Sequence, residues 1–156
     1  MRINLMWGNG SPLSGYTNVD PHSYDKEDVI NSDITDLNDI VGDSEATEIL
    51  VADVIDYLPK EIVAKAIGHW VTKLRHKGRI VIGGHDIYEI TKIVSQQGIS
   101  AEEISSVLHG EQNNPWEFKA SHTTATDLAK TLEQHGLKIL KKRVSGFKMI
   151  VEAVRP

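Results

Sequence analysis

Along the chain, short apolar runs alternate with stretches of helical spacing. Residues 2–6, RINLM, predict a first strand, and residues 15–20, GYTNVD, a second, opened by Gly15 and closed by Asp20-Pro21. Residues 21–44 are polar and weakly patterned, with a short strand predicted at 29–33. Residues 46–53, ATEILVAD, predict a strong strand, and the run Ile49–Ala52 predicts burial on both of its faces. Pro59 starts a helix in which Ile62, Val63, Ala66, Ile67, Trp70, Val71 and Leu74 share one face, and Lys77-Gly78 ends it. RIVIGG (79–84) predicts another buried strand and residues 86–97 a helix. Ser100 with Glu103 forms a capping-box pattern ahead of Ile104, Val107 and Leu108. Residues 109–122 predict a loop. Thr124 with Asp127 caps a helix carrying Ala125, Leu128, Ala129 and Leu132, stopped by His135-Gly136. LKILKKRV and KMIVEAV, on either side of Ser145-Gly146, predict a terminal antiparallel hairpin.

This alternation predicts an open, mostly parallel α/β sheet with helices on its faces. A chain of 156 residues is expected to form one domain, 1–156, with room for a real core. Apolar residues at 40% and charged residues at 25% place it among ordinary soluble globular proteins. A net charge of −5 with no basic block argues against broad nucleic-acid binding. The absence of cysteine excludes disulfides, thiolate metal sites, iron–sulfur clusters and a cysteine nucleophile. The N-terminus lacks the apolar core of a signal peptide, and no apolar run reaches membrane-spanning length, so a cytoplasmic protein is expected.

In open α/β sheets ligands bind beyond the carboxyl ends of the strands. Four polar groups fall there: the Trp7–Gly10 turn, Asp20, Asp53 and Gly84-His85-Asp86. His85 and Asp86 are candidates for an acid–base pair. A cluster of His85, Asp86, His109 and His122 can be drawn, but its spacing matches no compact metal motif, so no metal is expected. His69, His76 and His135 read as structural, and Trp70 as core packing. Asp53 and Asp56 are open between site residues and caps of the following helix. The polar, aromatic loop 109–122, with His109, Gln112, Trp116 and Phe118, suits a substrate lid, although Trp116 could equally pin the loop to the sheet.

A resemblance emerges from the motifs in order: Leu5-Met6-Trp7-Gly8-Asn9, then Gly15–Asp20, Asp33-Ile34, the run Asp53–Pro59, LRHKGRIVI (74–82), HGEQNNPWEF and the final MIVEAVRP. Together they resemble the class I S-adenosylmethionine-dependent methyltransferases, in a small bacterial and phage-like branch. The resemblance implies a Rossmann-like class I methyltransferase fold of reduced size, with a mostly parallel sheet and a C-terminal antiparallel hairpin. It implies S-adenosylmethionine as cofactor and methyl transfer to an acceptor that is a small molecule, a sugar or a protein side chain. Met6, Trp7, Gly8, Asn9 and Gly10 would form the cofactor loop. Asp20 would take the ribose hydroxyls, Asp33 the adenine amino group, and Ile34 would pack on the ring, with Val51 and Asp53 completing the pocket. His109, Gln112, Trp116 and Phe118 would face substrate. No nucleic-acid or membrane partner is expected, and the short domain with its exposed hairpin allows a homodimer.

Three departures stand against this picture. Met6 replaces the first glycine of the loop, Trp7 a small residue, and Asp53 a histidine. They favour the alternative of a domain that has lost catalysis and serves as a binding or assembly module. A pocket lined by Gly8, Asp20, Asp33 and Val51, open at its Met6 end, would favour the enzyme. The first two strands are also joined too closely for the helix that normally crosses between parallel neighbours. A nicotinamide dehydrogenase is disfavoured because no three-glycine fingerprint opens a helix.

Overall fold

The computed structural model describes Met1–Pro156. Seven strands form one sheet: β1 (Arg2–Leu5), β2 (Thr17–Val19), β3 (Val29–Ile30), β4 (Ala46–Ala52), β5 (Leu74–His85), β6 (Lys138–Ser145) and β7 (Lys148–Val154), in the order β3-β2-β1-β4-β5-β7-β6. The first five are mutually parallel, and β7 runs antiparallel to both β5 and β6. Four helices join them: α1 (Lys60–Lys73), α2 (Ile87–Gln97), α3 (Ala101–His109) and α4 (Ala125–Gln134). The expected class I methyltransferase architecture is therefore present, with its closing hairpin. Ser100 and Thr124 cap α3 and α4 as their spacing predicts, through the N–H groups of Glu103 and Asp127. The strand expected over 29–33 keeps only Val29–Ile30.

Helix α1 ends four residues earlier than the Lys77-Gly78 signal suggests. Buried Leu74 is already extended and pairs with Ala46. Lys77 takes a left-handed conformation, and its N–H donates to the carbonyl of Arg155, whose own N–H returns to Gly78. A side chain at Gly78 would meet the Ala46 carbonyl at 2.8 Å. The Lys-Gly pair is thus a kink within β5, which runs on from the helix without a loop.

The strand register sorts side chains onto two faces. On one, Ile3, Ile49, Ile80 and Ala153 form a row, and Leu5, Val51, Ile82 and Val151 the next. Ala66, Ile67, Trp70 and Val71 of α1, and Ala125, Leu128, Ala129 and Leu132 of α4, join these rows in a core of 27 buried residues. Trp70 is buried in it, as expected, and its indole N–H donates to the Ile34 carbonyl at 2.7 Å.

Helices on both faces were expected, yet no helix packs on the other. Near β2 that face is covered by the chain at 11–16, where Asn18 exchanges hydrogen bonds with the backbone of Leu13 at 2.8 and 3.2 Å. Further along, Leu50 and Val81 are half-buried, and Ile150 is 50% exposed. Parallel sheets are ordinarily buried on both faces. Here a polar row takes the place of helices. Glu48, 4% exposed, accepts from Arg2 at 3.0 Å and, at closer range, from Arg79 and the Tyr16 hydroxyl. Arg79 reaches on to Glu152 at 3.2 Å, and Lys141 approaches Glu152 at 3.9 Å. The signs alternate across five strands, so each charge is neutralised by its neighbours while the arginines stay half in water.

Glu48 is the hinge of this row. Burial pushes its carboxyl up, but hydrogen bonds from Tyr16, Arg79 and Arg2 outweigh that and hold it below the usual carboxylate range. A depressed carboxylate adds stability above its unfolded pKa and loses it as pH falls through the folded value. Glu48→Ala should cost about 2 kcal/mol, less than a fully buried pair because its arginines are half-exposed, and lower the melting temperature by roughly 4–8 °C. Thermal unfolding of Glu48→Gln from pH 7 down to 3 should show a shallower acid loss than wild type. An unchanged acid limb would mean that the row does not hold the face.

Candidate functional site

Two neighbouring constellations sit at the carboxyl end of the sheet. The first joins the ends of β1 and β2. Met6 is buried, and its N–H extends the strand pairing to the Val19 carbonyl at 2.9 Å. The chain then turns at Gly8, which has φ +74°, and the Gly8 N–H donates to Asp20 Oδ2 at 2.8 Å. Asp20 is fully buried. Its Oδ1 accepts from the His22 N–H at 2.8 Å, and its Oδ2 also accepts from the Ser23 hydroxyl at 2.7 Å. An aspartate that bonds its own downstream backbone in this way makes an Asx turn, and Pro21 reinforces the bend. The carboxylate thereby fastens the β1 loop to the β2 turn.

Aromatic rings gather over this junction. The Trp116 indole stacks on His22 with centroids 4.7 Å apart, and its Nε1 lies 2.5 Å from where a side chain on Gly8 would begin. Trp7 packs edge-on against His22 at 4.3 Å, and its indole N–H donates to the Trp116 carbonyl at 2.8 Å. Burial pushes the His22 imidazole below its usual range, against the opposing pull of Asp20. Gly8 and Asn9 keep an exposed outer side.

The pocket anticipated between Gly8, Asp20, Asp33 and Val51 is not formed. Met6, Ile34 and Val51 belong to the buried interior, and Gly10 lies against the Met6 side chain. Asp33 is exposed, and its carboxylate turns back to the N–H and hydroxyl of Thr35 at 2.8 and 2.7 Å. The cleft that would hold a ligand over Gly8 is filled from the chain's own loop by Trp116.

The second constellation lies at the ends of β4 and β5, around a cavity of about 240 Å³ lined by Asn9, Asp53, Asp56, Tyr57, His85, Lys119 and Lys148. Asp53 takes a left-handed conformation at φ +53°, and its carbonyl accepts from the Asn9 amide at 3.0 Å. Neither Asp53 nor Asp56 caps α1, which starts from Pro59 without a side-chain cap. Asp56 is 3% exposed. Its carbonyl accepts from Ala120 and Ser121 at 2.8 and 3.1 Å, and so ties down the loop 109–122. Its Oδ2 accepts from the His85 N–H at 3.2 Å, while Oδ1 has no protein partner. Lys119 enters from the loop: its Nζ lies 2.5 Å from His85 Nδ1, 2.9 Å from the Val107 carbonyl and 3.7 Å from Asp56 Oδ2.

Burial dominates the electrostatics. It pushes Asp56 up against the opposing charge of Lys119, and pushes Lys119 down. His85 is lowered first by burial and then by Lys119.

Of the pair His85-Asp86, only His85 lines this cavity. Asp86 is 4% exposed, and its two oxygens accept from Glu89 at the start of α2 (3.1 Å) and Ala125 at the start of α4 (2.9 Å). His109, the last residue of α3, and Gln112 and Phe118 on the loop that follows are exposed, and Gln112 folds back onto the His109 carbonyl at 3.3 Å. Lys119 was missed on the sequence. Its signal was its isolation, because it is the one lysine or arginine between 109 and 122.

No family model matches this sequence, and no curated protein matches it. Solved structures do match its backbone. One is the Burkholderia thailandensis 1,6-didemethyltoxoflavin-N1-methyltransferase, with bound 1,6-didemethyltoxoflavin and S-adenosylhomocysteine (12% identity, 98% of this chain and 70% of that one, TM-score 0.63). A second is a SAM dependent methyltransferase from Archaeoglobus fulgidus (14% identity, 98% and 86%, TM-score 0.60). A third is an O-methyltransferase family protein from Burkholderia thailandensis (16% identity, 81% and 35%, TM-score 0.55). The chain thus spans about a third of the last of these and most of the other two. At such identities the likeness shows the fold.

Asp86 gives a prediction about structure alone. Asp86→Ala strips an acceptor from the first turns of two helices, each loss worth about 1 kcal/mol. Thermal unfolding should show a drop of roughly 4–8 °C. A change under a degree would mean that these contacts do not hold the two helices.

Proposed function

We propose that the chain binds S-adenosylmethionine across the carboxyl ends of β1, β2 and β4 and transfers its methyl group to an acceptor in the adjoining cavity. The observation that carries this reading is the junction of Gly8 and Asp20, a glycine turn held by a carboxylate at neighbouring strand ends, beside a polar cavity with room for a second reactant. It is supported by the fold, since a neighbour of the same fold was solved with S-adenosylhomocysteine bound.

The residues fit such a ligand in chemistry. Gly8 lets backbone come close, Asn9 and Asp53 offer polar contacts to an amino-acid tail, and Asp20 would reach hydroxyl groups by exchanging one of its bonds from Gly8, His22 and Ser23. Space over Gly8 requires the Trp116 indole to leave it. The cofactor supplies a methyl group already activated on a sulfonium, so the protein's task is mainly to hold the acceptor in line.

Trp116 also supports a second reading, a domain closed to cofactor that serves as a binding or assembly module. Thermal unfolding with S-adenosylhomocysteine separates the two. Ligand at about 100 times its dissociation constant adds about 2.7 kcal/mol, roughly 5–10 °C in melting temperature. Wild type should shift by that amount, Asp20→Ala should not, and Trp116→Ala should bind about tenfold more tightly because it has no indole to displace. No shift in wild type or in Trp116→Ala, at millimolar ligand, would sink the enzyme reading. A shift confined to Trp116→Ala would favour the closed module.

A further inference from the structure

We propose that the cavity at the ends of β4 and β5 takes an acceptor hydroxyl, gripped between Asp56, which accepts its proton, and His85 Nε2–H, which donates to its oxygen. This rests on the methyl-transfer reading and names the acceptor class for that same site.

The assignment follows from counting protons. The 2.5 Å contact between Lys119 Nζ and His85 Nδ1 needs one hydrogen between two nitrogens. Either an ammonium donates to the ring, or the ring donates to a neutral amine. Lys119 also faces the Val107 carbonyl at 2.9 Å and the Asp56 carboxylate at 3.7 Å, both acceptors. A neutral amine would leave buried Asp56 without a counter-charge, which is costly. Lys119 is therefore the ammonium, and His85 Nδ1 is its acceptor. With Nδ1 engaged and a cation beside it, the ring stays neutral and carries its proton on Nε2. Burial and Lys119 push the imidazole in the same direction. His85 is then a donor and has no lone pair left to act as a base.

Asp56 is the buried carboxylate of the cavity with accepting capacity in reserve. It lines the cavity, is almost fully buried, and its Oδ1 has no protein partner. A buried acceptor left unpaired costs about 1–3 kcal/mol, which a ligand donor would recover. Beside Asn9, Asp53, Tyr57 and Lys148, the pair Asp56 and His85 thus offers one buried acceptor and one donor. A hydroxyl satisfies both at once. A carboxylate has no hydrogen for Asp56, and an ammonium has no lone pair for His85. On methylation, the hydroxyl oxygen forms its bond to the methyl carbon as the carbon–sulfur bond breaks. That bond's electron pair stays on sulfur, giving the neutral thioether, and the hydroxyl proton passes to Asp56. Burial, which raises Asp56, favours that transfer. His122, Asp53, Tyr57 and Lys148 are the remaining titratable groups around Asp56 and the cavity.

The test uses the whole chain with S-adenosylhomocysteine added. Ring ¹⁵N NMR, assigned with His85→Gln, should show His85 neutral and protonated on Nε2 at pH 7, and Lys119→Met should move its titration to higher pH, with burial still holding it below the usual range. Phenol and benzoate then serve as probes of equal shape, one with an O–H and one without. Phenol should move the His85 Nε2 signal and benzoate should not. Asp56→Asn, checked for folding by its melting curve, should weaken phenol at least tenfold. A ring protonated on Nδ1, an imidazolium at pH 7, benzoate binding as well as phenol, or neither probe binding would each overturn the proposal. The thioether's melting shift is read in the same samples. Its absence, with the tautomer and the phenol preference intact, would overturn the methyl-transfer reading alone.

Discussion

Covering a parallel sheet takes two layers of helix, and this chain supplies one. Leu5 and Thr17, the ends of two adjacent parallel strands, are separated only by positions 6–16, too few for a crossing helix. The layer that would have covered Leu50, Val81 and Ile150 is absent. The sheet survives in water because its central polar position, Glu48, is held by three donors from β1, β5 and the β2 approach. Arg79 and Glu152 carry the alternation to the antiparallel hairpin. An uncharged residue at 48 would leave two arginines facing each other across the strand between them. The one-sided sheet therefore depends on one carboxylate.

The missing helix also shapes the site. A helix beginning beneath the β1 loop would present its free N–H groups to a ligand. Here the Gly8 N–H is taken up by Asp20 instead, and the loop 109–122 supplies the opposite wall. That loop is fixed at one end by the Asp56 carbonyl and by Lys119. At the other end it is fixed by the bond from Trp7 to the Trp116 carbonyl and by the stack of Trp116 on His22. The two anchors are three residues apart and chemically independent. The indole can leave Gly8 while Lys119 stays on His85, so clearing Gly8 need not dismantle the cavity beside His85.

Much of this was legible beforehand. Strand-forming runs, the two Ser/Thr caps, the closing hairpin and the convergence of Gly8, Asp20, Asp53 and His85 at strand ends all follow from local chemistry that tertiary packing did not override. The failures share a cause: they needed partners distant in sequence. The run Ile49–Ala52 reads as buried on both faces, yet Leu50 is half-buried and Ala52 exposed, because the polar row beside them exists only once Arg2, Glu48 and Arg79 fall into register and Glu152 comes within reach of Arg79. Leu74 has helical spacing, but its pairing with Ala46 extends it. Asp86 has the residue type and position of a catalytic acid, and two helix starts use both of its oxygens. His85 looks like a base until Lys119 is beside it.

Whether the aromatic closure abolishes cofactor binding is a question of magnitudes. The stack of Trp116 on His22 and the hydrogen bond from Trp7 are each worth about 0.5–1.5 kcal/mol. Together they set a cost of roughly 1–3 kcal/mol for clearing Gly8, which weakens an incoming ligand by a factor of about 5 to 150. A ligand of micromolar intrinsic affinity binds with about 8 kcal/mol. The closure can weaken such a ligand but not exclude it. Exclusion would have to come from Met6, which is part of the buried interior and cannot swing aside. Its side chain lies against Gly10, whereas Trp116 and His22 are what lie against Gly8. Met6 and Trp7 therefore differ in kind. Met6 fills the interior beneath the loop. Trp7 holds a movable lid above it, and a movable lid is compatible with a site that opens for its ligand.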